Sequence, residues 1–83
     1  MKKEETLYEV IITIDWENTT KIITSKFKEA AEKYKETIAI AKKIASKGEY
    51  FTSAEFWKYD FLKETKCEMV AYFEGGKRPV EQF

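Results

Sequence analysis

The sequence predicts an α+β fold: a two-layer β-β-α-β-β arrangement with one long helix packed on a four-stranded, mainly antiparallel sheet. Three observations lead there. Apolar residues alternate at period two before residue 24 and again after residue 50. Between them, Ser25 to Lys47 contains no Gly or Pro and is rich in Ala, Lys and Glu. The 83 residues leave room for one core only, so residues 1–76 read as a single domain and 77–83 as a flexible C-terminal tail.

Residues 7–16 carry the first strand. Tyr8, Val10, Ile12, Ile14 and Trp16 fall on one face and Glu9, Thr13 and Asp15 on the other. Glu17-Asn18-Thr19-Thr20 supplies turn chemistry, with Asn18 suited to a left-handed conformation, and Lys21–Thr24 reads as the returning strand of a hairpin.

Next comes the helix. At about 100° per residue, Phe27, Ala30, Ala31, Tyr34, Ile38, Ala41 and Ala45 share one face. Thr24 or Ser25 can cap its start, and Gly48 suits the position just past its end. Lys42, Lys43 and Lys47 suit the negative end of the helix dipole.

Residues 50–62 send two signals. Trp57, Tyr59 and Phe61 alternate with Lys58 and Asp60 as in a strand, while Thr52-Ser-Ala-Glu55 has capping-box spacing. A helix here would scatter its aromatics all round, so the alternation favours a strand. Residues 67–74 alternate too, placing Cys67, Met69, Ala71 and Phe73 on one face and Glu68, Val70, Tyr72 and Glu74 on the other. Lys63–Lys66 would be the turn before them, and Gly75-Gly76 ends the element. In element order alone, this resembles the immunoglobulin-binding domains of protein G and protein L and the β-grasp arrangement; no motif accompanies the likeness, and it implies no function.

Charge is balanced, with fifteen Lys and Arg against fifteen Asp and Glu, so no net field steers the chain toward nucleic acid or an acidic membrane. Its distribution is uneven. Residues 26–48 hold seven Lys and three Glu, whereas residues 49–74 hold three Lys and six acids. A single cysteine permits no intrachain disulfide, and Met1-Lys2-Lys3-Glu4-Glu5 is unlike a signal peptide, so the expected setting is a reducing cytoplasm.

The chain has no His, which removes the commonest general base and metal ligand. Cys67 and the serines lack an activating imidazole, and the three Gly form no phosphate-cradling loop. Neither a catalytic site, a cofactor nor a metal is expected. Asp15, Glu17 and Asn18 could offer oxygens to a cation, but match no metal loop and read as a solvated turn. Cys67 reads as a small buried hydrophobe beside Met69 and Phe73.

Aromatic density is the most informative feature. Tyr50, Phe51, Phe56, Trp57, Tyr59, Phe61, Tyr72 and Phe73 are eight rings in a stretch of 24 residues, more than one layer between helix and sheet can hold. Each covers about 150–250 Å² when buried, so leaving several in water forfeits several kcal/mol. The surplus is expected to bury against another protein, with Phe56, Trp57, Tyr59 and Tyr72 as anchors and Ile40 and Ile44 as an apolar helix shoulder. Acidity over residues 49–74 suits a basic partner, such as a nucleic-acid-handling protein. The expected function is a small non-catalytic protein-binding domain, of the kind found among phage-type accessory proteins and anti-CRISPR-like inhibitors. Open sheet edges also permit a homodimer. The alternative is a nucleic-acid-binding protein in which Lys28, Lys35 and Lys42, seven apart along one helix flank, take phosphates while exposed aromatics stack on bases. The favoured reading of those lysines is the blander one, a solvated border that snorkels along the buried face.

Overall fold

The computed structural model describes residues 6–48, 50–60 and 66–76. Alternation builds β1 (Thr6–Ile14) as expected: Tyr8, Val10, Ile12 and Ile14 all point into the core, with Val10 fully buried. The turn, however, comes earlier than Asn18. Asp15 and Trp16 both have positive φ, +53° and +74°, the signature of a two-residue type I′ hairpin turn. β2 therefore starts at Glu17 and runs to Thr24, and Asn18 lies inside it opposite Thr13. Asn18 is held there by a 2.6 Å hydrogen bond that its Oδ1 accepts from the Thr13 hydroxyl.

Helix α1 spans Phe27–Ser46. Lys26 occupies the cap position without a side-chain cap bond. Thr24 supports the start instead: its hydroxyl accepts from the Lys26 N–H (3.1 Å) and donates to Glu29 Oε1 (2.8 Å). At the far end Gly48 adopts φ +72° and its N–H donates to the Ala45 carbonyl, the stop that a glycine permits. The buried stripe is Ala30, Tyr34, Thr37 and Ala41. Thr37 is a member that polarity disguised; its hydroxyl donates to the Lys33 carbonyl at 2.8 Å, so it enters the core without an unmet donor. Phe27 remains half exposed although it meets Tyr8 edge to face and stacks on Phe56.

Strands β3 (Thr52–Asp60) and β4 (Lys66–Gly75) complete a fully antiparallel four-stranded sheet ordered β2-β1-β3-β4. The strand reading of residues 52–60 holds over the helix reading. β2 and β3 both run against β1 and therefore parallel to each other, with α1 crossing over β1 to join them. The first and last strands are not neighbours, so the likeness to β-grasp domains ends at element order. Phe61 and the Lys63–Thr65 part of the expected turn lie outside the described residues, as does the 77–83 tail.

Each outer pairing contains a register shift. Lys21 is the extra residue in β2, opposite the Val10/Ile11 step, and Val70 is the extra residue in β4, opposite Phe56/Trp57. The second shift corrects the reading of β4. Ala71 and Phe73 face the helix, but beyond the bulge Cys67 and Met69 point to the opposite face. Cys67 is consequently exposed rather than buried.

Candidate interaction surface

One face of the sheet packs on α1; no described element covers the other. β3 decides which rings go where. Phe56 points inward, is 3% exposed, and sits between Tyr8, Phe27 and Tyr34 at ring-centroid distances of 5.4–6.2 Å. It is a core residue and leaves the set of candidate anchors. Trp57 and Tyr59 take the uncovered face, the reverse of an arrangement in which they meet the helix.

Pairing across three strands sets out that face as four rungs: Leu7–Tyr59–Cys67, Glu9–Trp57–Met69, Ile11–Glu55–Tyr72 and Thr13–Ser53–Glu74. β2 adds Ile23 beside Glu9, Thr20 beside Ile11 and Asn18 beside Thr13. Rings and carboxylates thus alternate on one surface, and they are tied together. Tyr59 donates its hydroxyl to Glu9 Oε1 at 2.7 Å, Thr20 donates to the other Glu9 oxygen at 2.7 Å, and Trp57 Nε1–H donates to Glu55 Oε1 at 2.7 Å. Tyr72 donates its hydroxyl to Glu74. These bonds hold the rings in place, and a carboxylate can accept more than one hydrogen bond.

Burial at the Thr13–Ser53 rung grades into exposure at Ile23, Met69, Val70 and Tyr72, each 43–59% exposed. The in-register positions hold Glu9, Glu55 and Glu74 and, among the described residues, no Lys or Arg; Lys21 sits in the β2 bulge. The Glu9 carboxylate keeps the Tyr59 phenol protonated, with its pKa pushed up to about 12 by the hydrogen bond first and partial burial second.

The helix presents a different surface. Lys28, Lys35 and Lys42 are exposed along the flank nearer β4, where the Lys42 ammonium stands 5.8 Å from the centre of the Phe73 ring. Ile40 (45% exposed) and the half-buried Ile44 lie on the other flank. Neither flank belongs to the ring-bearing sheet face. Asp15 is in the β1–β2 turn, Asn18 is bonded to Thr13, and no group of three or more His, Cys, Asp or Glu among the described residues could hold a metal ion. No helix among the described residues is long and apolar enough to cross a membrane.

No protein family, curated protein or solved structure matches this chain.

Two features of this surface escaped sequence reading. The carboxylates Glu9 and Glu55 were not linked to the rings, because cross-strand register is invisible until the turn is placed. Trp16 was read as the end of a strand, whereas it occupies the turn, 58% exposed and stacked on Phe51. The signal missing there is a glycine, which would mark a type I′ turn.

Proposed function

We propose that this chain is a non-catalytic protein-binding domain that seats the uncovered sheet face on a basic surface of a larger partner. The observation that carries this is the juxtaposition of Trp57, Tyr59 and Tyr72 with Glu9, Glu55 and Glu74 on one uncovered antiparallel face. Large rings desolvated at the centre of a contact supply most of the binding energy of typical interfaces. Carboxylates bonded to those rings favour a partner bearing Lys or Arg, for which the ring faces add cation–π attraction.

Affinity capture with wild type, Trp57→Ala and Tyr72→Ala tests the reading. One stoichiometric partner, rich in Lys and Arg at its contact and released by both substitutions, is the expected result. Equal capture by all three proteins removes the sheet face from consideration. The nucleic-acid reading is the weaker one on geometry: the Lys28/Lys35/Lys42 flank and the Trp57/Tyr72 rings lie on opposite sides of the sheet, so one strand of nucleic acid cannot lie flat on both. Oligonucleotide binding at low salt that falls steeply with added salt would restore it.

A further inference from the structure

At the β1–β2 tip, two consecutive non-glycine residues have left-handed backbone, Asp15 at φ +53° and Trp16 at φ +74°. Type I′ turns favour Asn-Gly or Asp-Gly, since glycine has no Cβ to clash at the second position. Here the Asp is present and the Gly is replaced by the bulkiest side chain available. Strained placements of this kind cluster at active sites, ligand clamps and switch regions.

The ring is displayed on a firm support. Trp16 stacks on Phe51 with centroids 4.9 Å apart and planes 27° from parallel, and the Asp15 N–H donates to the Phe51 carbonyl at 2.7 Å. Phe51 itself is 6% exposed, so the platform beneath the indole is part of the folded body, while Trp16 remains 58% exposed. Exposed carboxylates flank it in the chain, Asp15 before and Glu17 after.

We infer that this tip is an arginine-binding element, in which the Trp16 indole stacks against a guanidinium from the basic partner while Asp15 or Glu17 pairs with its N–H groups. It rests on the reading of a basic protein partner given above, but uses a different part of the surface. Arginine fits better than lysine because a planar guanidinium stacks on a ring and offers paired donors to a carboxylate at once, whereas an ammonium is a compact, strongly hydrated point charge.

The test uses blocked oligo-arginine and oligo-lysine peptides of equal length, titrated into the full chain. Trp57→Phe leaves Trp16 as the sole tryptophan, so its fluorescence reports the tip. The expected result is tighter binding of the arginine peptide, by about threefold to tenfold, with quenching of Trp16. Trp16→Gly, which supplies the residue a type I′ turn favours, should abolish that preference as read by calorimetric titration of the same two peptides. So should the pair Asp15→Asn and Glu17→Gln, in which the indole and a turn-competent residue both remain. An arginine preference that survives these changes, or is absent from wild type, overturns the inference. In either event Trp57→Ala and Tyr72→Ala still decide the sheet-face reading by partner capture, so the two fail separately.

Discussion

At the scale of single residues, ring position separates the core from the surface. Phe56, Trp57 and Tyr59 are near neighbours in sequence, yet Phe56 is walled in by three other rings while the other two look outward. Phe56→Ala should cost about 3–5 kcal/mol in urea denaturation, the usual cost of deleting a buried ring. Tyr72→Ala should cost about 1 kcal/mol or less, because that ring is 47% exposed. Equal losses would contradict the division into core and surface rings. Tyr59 makes a further prediction. Its proton is held more tightly in the folded chain (pKa about 12) than at the ordinary value of 10. The folded state therefore binds more protons in that window, and stability is full below about pH 10 and lost as pH rises through about 12. Burial raises the Tyr34 phenol in the same direction. Tyr59→Phe should flatten part of this alkaline decline, as read from denaturation midpoints and from tyrosinate absorbance. Cys67 belongs here too: an exposed thiol should react fully with a disulfide reagent in the native state, at a rate that denaturant changes little.

At the scale of elements, the helix was the most legible part of the sequence and its first residue the least. Twenty residues free of Gly and Pro, with apolar groups on one side, specify α1 without tertiary help. The cap was misread because two hydroxyl residues precede it, and the chain uses Thr24 two positions upstream of the actual cap, Lys26. Lys26→Asp should raise stability by about 1 kcal/mol, since Asp can accept from the free N–H groups of the first turn and suits the positive end of the dipole. A thermal melt that does not rise would mean the Thr24–Glu29 contact already satisfies this end. In the strands, alternation identified the inner face of β1 because no residue is inserted along it. It failed in β4, where Val70 adds one residue and reverses the parity of Cys67 and Met69. It failed at the hairpin too, where Asn18 carries stronger turn chemistry than the Asp15-Trp16 pair that turns. A bulge or a glycine-free turn leaves no periodic trace.

At the scale of the whole molecule, the charge imbalance along the chain becomes an imbalance between layers. The helix segment supplies the cations and the exposed sheet face the carboxylates Glu9, Glu55 and Glu74. The proposed association through the sheet face with a basic partner should therefore slow several-fold between low and physiological salt, with dissociation changing less, as read by stopped flow or surface binding. An association rate indifferent to salt would mean that apolar contact alone drives the encounter. The two poles of the sheet differ as well. Gly76 lies where an added Cβ would come within 2.0 Å of the Tyr50 carbonyl oxygen, and Gly75 pairs with Thr52, which in turn pairs with Ile14 beside the hairpin tip. Thr6, by contrast, stands level with Asp60 at the opposite pole. Gly76 therefore lies at the same end of the sheet as the indole. A fusion joined upstream of Thr6 would start at the far end of the sheet, beside the Leu7–Tyr59–Cys67 rung and away from the indole.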